Sequence, residues 1–126
     1  MGKSNQEWRN RQNRDPFVKR ALKEGWRSRA VFKLEEINNK EKILYPGMTC
    51  MDLGSSPGSW SQYTSLKLKE KVEIIALDIL PMDYLPAVEF VQGDFSDDEF
   101  FNSILLLLKN RKIDLVMSDM APNISG

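Results

Sequence analysis

Met48-Thr49-Cys50-Met51-Asp52-Leu53-Gly54-Ser55-Ser56-Pro57-Gly58-Ser59-Trp60 is the stretch that decides the fold. Met48, Cys50, Met51 and Leu53 form a short apolar run after the turn pair Pro46-Gly47, and the run stops at Gly54, the pattern of a buried strand. Behind the glycine-bounded turn, Ser59 and Gln62 stand at capping-box spacing, which predicts a helix from about Trp60. The alternation continues outward. Residues 72–77 form a second apolar run ending at Asp78, residues 87–91 a weaker third ending near Gly93-Asp94, and residues 113–117 a fourth ending at Ser118-Asp119. Ser96 and Glu99 predict the cap of a helix over 100–109. Upstream, Asp15-Pro16 reads as an N-cap and first turn of a helix that stops at Gly25. Ser28 reads as the cap of a second helix over 29–39, with Ala30, Leu34 and Ile37 on one face and Asn38-Asn39 at its end. Strands alternating with helices predict an α/β parallel sheet over residues 15–126. Residues 1–14, polar and basic with Trp8 as their one large apolar side chain, read as a flexible arm.

The total charge is zero, and the total misleads. Residues 1–33 carry ten basic side chains (Lys3, Arg9, Arg11, Arg14, Lys19, Arg20, Lys23, Arg27, Arg29, Lys33) against three acidic ones (Glu7, Asp15, Glu24), and the rest of the chain reverses the balance. Such asymmetry signals a polyanionic partner for the basic part. A single cysteine, Cys50, excludes a disulfide framework within the chain and fits a reducing compartment. With one cysteine and no histidine, no metal site is expected, and proton transfer must use Lys, Asp, Glu, Tyr or water. The longest apolar run, 104–108, is far short of the ~18 residues of a membrane span, so no membrane partner is expected. The basic start lacks the apolar core of a secretory signal, and it runs into helical patterning rather than reading as a transit peptide.

Ligands of open α/β sheets bind beyond the carboxyl ends of the strands. Here those ends carry Asp52 with the Gly54–Gly58 turn, Asp78, Asp94 and Asp119. Carboxylates accept hydroxyls and amines but repel phosphate. The turn lacks both G-x-G-x-x-G and the Walker Gly-Lys-Ser/Thr, which disfavours a nicotinamide-dependent oxidoreductase. Gly54 and Gly58 allow close backbone approach, and the following helix N-terminus can meet a carboxylate. S-adenosyl-L-methionine, with ribose, adenine amine, amino acid and sulfonium, suits this set. Each residue also has a plainer reading: Asp78 and Asp94 as turn formers, Asp119 as an N-cap, Lys33 as a solvated helix lysine. Lys33 nevertheless sits about 60° from Ala30 on a helical wheel, at the border of the apolar stripe.

Residues 27–37 (RSRAVFKLEEI), 46–63 (PGMTCMDLGSSPGSWSQY), 78–83 (DILPMD), 90–95 (FVQGDF) and 116–126 (VMSDMAPNISG) resemble the FtsJ/RrmJ family of S-adenosylmethionine-dependent ribosomal RNA 2′-O-ribose methyltransferases. The resemblance implies a Rossmann-like methyltransferase fold, truncated here after the fourth strand, which would leave that strand an exposed apolar edge. It implies S-adenosyl-L-methionine as cofactor, with Gly54, Gly58, Trp60, Asp78, Asp94 and Asp119 around it. Asp78 would take the ribose hydroxyls, Asp94 the adenine amine, and Asp119 the methyl-donor end. Lys33 and Asp119 match two members of a Lys-Asp-Lys-Glu catalytic set, whose second lysine (the expected base) and glutamate have no match in this chain. Arg27, Arg29 and Lys33 would face RNA. The implied substrate is a uridine ribose of 23S rRNA in the large ribosomal subunit, and the implied state a cytoplasmic monomer. Ser59 departs from the glycine many members have there, adding bulk near the cofactor. The alternative is a catalytically incomplete fragment that binds RNA and cofactor at most.

Overall fold

The computed structural model describes residues 15–119. Helix α1 (Pro16–Glu24) begins where the Asp15 carboxylate accepts the N–H groups of Phe17 and Val18, and it ends at Gly25. Then follow α2 (Val31–Glu41), β1 (Thr49–Leu53), α3 (Ser59–Lys67), β2 (Glu73–Asp78), β3 (Val88–Gln92), α4 (Asp98–Leu108) and β4 (Leu115–Ser118). All four expected strands are present, shifted by at most two residues. They form one parallel sheet in the order β3-β2-β1-β4, as the alternating pattern requires. Met51 of β1 stands opposite Ile75 of β2 on one side and Val116 of β4 on the other.

Parallel strands covered on both faces must be apolar in both directions. Cys50, Ile74, Ile75, Ala76 and Leu77 are all fully buried. On one face Cys50, Ile74 and Met117 pack with Val31 and Leu34 of α2 and Trp60 and Tyr63 of α3. On the other, Met51, Ile75 and Leu77 pack with Ile104, Phe100, Leu107 and Leu108 of α4. The chain runs outward from β1 through β2 to β3, then crosses back to lay β4 on the free side of β1. That reversal puts a crevice beyond the carboxyl ends of β1 and β4. Among the described residues β4 is an edge strand, as expected, with Val116 exposed, and α4 exposes Leu105 and Leu106 on its outer side. No helix among the described residues is long and apolar enough to cross a membrane.

The caps of α1 are as expected, and those of the other helices differ, for one recurring reason. Ser28 does not cap α2, whose N-cap is Ala30 without a side-chain bond; its hydroxyl donates to Ser59 Oγ at 2.9 Å. Ser59 and Gln62 form no capping box, because Gly58 is the N-cap of α3. Gln62 instead accepts the Arg27 N–H and donates to the Gly25 carbonyl, both at 3.0 Å. Ser59 is thus buried against the α1–α2 connection. Asp97, not Ser96, caps α4, accepting the Glu99 N–H at 2.9 Å. Helix α2 continues past Asn38, whose buried side chain accepts the Leu44 N–H. In each case the side chain that suits a local cap serves another partner.

Candidate active site at the strand ends

The turn after β1 is lashed to the end of β2. The N–H groups of Gly54 and Ser55 both donate to the Leu77 carbonyl, at 2.8 and 3.0 Å. Asp78, buried at the end of β2, accepts the Ser56 N–H on Oδ2 at 2.7 Å and the Leu80 N–H on Oδ1 at 2.9 Å. Its carboxylate therefore spans the turn and the 79–87 loop, and each oxygen keeps a second lone pair for a ligand hydroxyl. Ser55 is 94% buried and its hydroxyl has no hydrogen-bond partner among the described residues; it lies at the mouth of α3, whose first-turn peptide N–H groups lack helical partners, that of Ser61 going to Asp52. A buried hydroxyl left unpaired costs about 1–3 kcal/mol, and a polar ligand at the turn would satisfy it.

Gly58 is the tight point of the turn. Its φ is 110°, and a Cβ would lie 2.9 Å from both Arg27 Nη1 and Met82 Sδ. The close approach it permits is therefore to the Arg27 guanidinium. That guanidinium donates to the main-chain carbonyls of Pro57 (3.0 Å), Asp83 (2.9 Å) and Tyr84 (2.8 Å). Expected against RNA, Arg27 turns inward and clasps the turn to the 79–87 loop. Trp60 also points into the protein: its ring is in the α2–α3 core and its indole N–H donates to the Ala30 carbonyl at 2.7 Å.

Beyond β3, Gly93 donates its N–H to the Asp78 carbonyl, and a Cβ there would overlap the Phe100 ring. Asp94 next to it takes the form of a turn former, accepting the Ser96 N–H and hydroxyl on Oδ1 at 2.9 and 2.8 Å. These two bonds, the N–H first, hold its carboxyl below the usual range.

Asp52, counted in the sequence among the strand-end carboxylates but given no individual role, turns out to face the interior. It is buried within β1, accepts the Ser61 hydroxyl at 2.6 Å, and desolvation pushes its carboxyl up to about 6, with Asp119 and Asp78 adding to the rise. The available signal was a lone acid inside an apolar strand.

On the far side of the crevice, Phe17, Arg29, Ala30, Phe32, Lys33, Glu36 and Asp119 line a groove of about 510 Å³. It brings together Lys33 from α2 and Asp119 from the end of β4, two residues 86 positions apart that the sequence reading paired. Partial desolvation raises the Asp119 carboxyl above its ordinary value. Arg29 is exposed and forms an ion pair with Asp15. The arm 1–14, read as flexible, and the Met120-Ala121-Pro122 segment after Asp119 lie outside the described residues.

Residues 26–126 match the model of the FtsJ-like methyltransferase family. The chain is 52% identical over 124 residues to a ribosomal RNA large subunit methyltransferase E of Legionella pneumophila (strain Lens), covering 98% of this chain and 60% of the relative. It is 52% identical over 126 residues to the protein of that name in Acinetobacter baumannii (strain AYE), covering 58% of it. The chain thus spans about 60% of the length of the curated relatives it matches. A crystal structure of a protein described as a ribosomal RNA methyltransferase, from Plasmodium falciparum, superposes with a TM-score of 0.67 at 35% identity, over 80% of this chain and 60% of that one.

Proposed function

The chain belongs to the FtsJ-like methyltransferase family, and from that premise we propose that it supplies the cofactor side, and two reacting-side residues, of an S-adenosyl-L-methionine-dependent 2′-O-ribose methyltransferase acting on a uridine of 23S rRNA. Family membership implies a methyl donor. The orphaned Ser55 hydroxyl, the remaining Asp78 lone pairs and the α3 N-terminus fit the carboxylate and ribose of S-adenosyl-L-methionine. When bound, that cofactor supplies a methyl group on a sulfonium as the electrophile.

The chain's own residues do the rest by position. Asp78 accepts the ribose hydroxyls while its two main-chain bonds keep it from turning away. Asp94 accepts the adenine amine. Gly54 lets the turn close on the ligand and Gly58 lets Arg27 brace the turn from behind, with Ser55 and the N–H groups at the start of α3 meeting the ligand carboxylate. Trp60 acts from the core, fixing Ala30 at the edge of the groove. Asp119 lies at the methyl-donor end, and a cation beside it favours its ionised form despite partial burial. Lys33 faces it across the groove, placed to hold the RNA ribose and polarise its 2′-hydroxyl. Positioning for in-line attack accounts for much of the barrier in such a transfer. Arg29 and Lys33 make phosphate contacts; Arg27 keeps the cofactor turn in shape. The expected setting is a cytoplasmic monomer acting on the large ribosomal subunit.

The observation that carries this reading is the meeting of Lys33 and Asp119 as lining residues of one groove. The test is transfer of labelled methyl from S-adenosyl-L-methionine to undermethylated large subunits. Label in a ribose 2′-oxygen, abolished by Asp119→Ala, supports it. Cofactor binding without transfer by this chain supports the binding-module alternative, and no cofactor binding at all sinks both.

A further inference from the structure

The groove that holds Lys33 and Asp119 has an aromatic wall with no part in the methyl transfer itself. Phe17, at the start of α1, is 52% exposed. Phe32 of α2 lies beside it, ring centroids 6.1 Å apart and planes tilted by 45°. The Arg20 guanidinium covers Phe32 at 4.1 Å from the ring centroid, and Glu24 (2.7 Å) and Glu35 (3.3 Å) hold it there. Phe32 is thereby fixed from behind, while Phe17 presents its ring to the groove. Arg29 and Lys33 flank the ring, and the acids of the lining are Glu36 and Asp119.

The combination narrows the occupant. A purely apolar ligand has no use for two cations at the rim, and an acidic peptide offers no flat π surface. A nucleotide has both a phosphate for Arg29 and Lys33 and a base for the ring. The volume of about 510 Å³ is within the range that takes a ligand of that size. We propose that Phe17, backed by Phe32, is a stacking platform for one unpaired nucleobase of the RNA, adjacent to the ribose presented to Asp119. This deepens, and rests on, the RNA reading above. It requires the target nucleotide to be out of a duplex when it is bound, because a paired base cannot lay its face on a side chain.

The test compares a ten-residue oligouridylate with a ten-residue abasic ribose-phosphate oligomer of equal charge, by fluorescence anisotropy with the full chain. Wild type is expected to prefer the oligouridylate by about five- to one-hundred-fold, the range of one base on one aromatic ring. Phe17→Ala removes most of that preference without changing affinity for the abasic oligomer or for S-adenosyl-L-methionine. Phe17→Leu, which keeps apolar bulk and helix packing, loses it too, and Phe17→Tyr retains it. A preference that survives both Phe17→Ala and Phe17→Leu overturns the proposal. So does a preference that disappears with Trp8→Ala instead, which would put the platform in the arm. If wild type binds neither oligomer at low salt, the RNA reading falls and takes the platform with it.

Discussion

The turn after β1 and the groove between α1 and α2 lie at the same end of the sheet and are built on opposite plans. In the turn, charged groups are committed to main chain: Asp78 to two N–H groups, Arg27 to three carbonyls. In the groove, charge stands near solvent and meets other charge, as Arg29 meets Asp15. A carboxylate pinned by peptide N–H groups cannot adapt, which suits a small ligand of fixed shape. Exposed ion pairs hold weakly and exchange easily, which suits a polymer whose phosphates displace them. The difference teaches that a basic residue cannot be assigned to a polyanion from its sequence neighbours. Arg27 and Arg29 are two positions apart and belong to different regions.

The largest effect should come where the regions meet. Asp119→Ala is expected to lower methyl transfer by about 10²–10⁴-fold while leaving oligouridylate affinity nearly unchanged, read by single-turnover labelling. Loss of RNA binding instead would move Asp119 wholly into the groove. Next, Arg27→Ala is expected to cost roughly 3 kcal/mol of unfolding free energy, since it strips charged donors from three carbonyls, and to weaken cofactor binding. Arg27→Lys should recover little, because an ammonium cannot fork across three acceptors. Unchanged stability together with a shallower salt dependence of RNA binding would put Arg27 back on RNA.

Asp52 gives a pH signature to the turn side alone. Unfolded, it ionises near pH 4; folded, at about 6. Between those values the folded state binds the extra proton, so stability falls as pH rises from about 4 to about 6 and is level above. The full drop is about 3 kcal/mol. Asp52→Asn should flatten most of it in urea titrations at pH 4.5 and 7, with Asp119 contributing a residual slope of the same sign. A slope identical in variant and wild type would rule out Asp52 as its source. Smallest is Arg29→Ala, expected to leave Tm and cofactor binding unchanged and to reduce the salt slope of RNA binding by about one. A fall in Tm with an unaltered slope would make Arg29 another clasp.

The sequence exposed the strands because a central parallel sheet demands mostly apolar stretches, and residues 72–77 and 113–117 are apolar but for Glu73 and Asp114. That Lys33 and Asp119 share one groove was legible through the family resemblance and the position of Asp119 at a strand end. The caps of α1 were legible in Asp15-Pro16 and Gly25, and those of α2, α3 and α4 were not. Ser28, Ser59 and Gln62 each fit a local motif, and each is taken by a partner brought near only by folding. Arg27 failed for the same reason: its partners lie 30, 56 and 57 residues downstream. Local chemistry can be read one residue at a time, and competition for the same donor cannot.

The strand order also sets a sequence in time. β1 pairs with β2 across about two dozen residues and with β4 across 65 (Cys50 with Leu115). Chains emerge N-terminal end first, and short closures form sooner than long ones. The Gly54–Gly58 turn can thus be tied to Leu77 and Asp78 while α4 and β4 are still being synthesised. Asp119 joins Lys33 only when the last described strand docks. The turn after β1 is therefore older, in the life of each molecule, than the groove that holds Lys33 and Asp119.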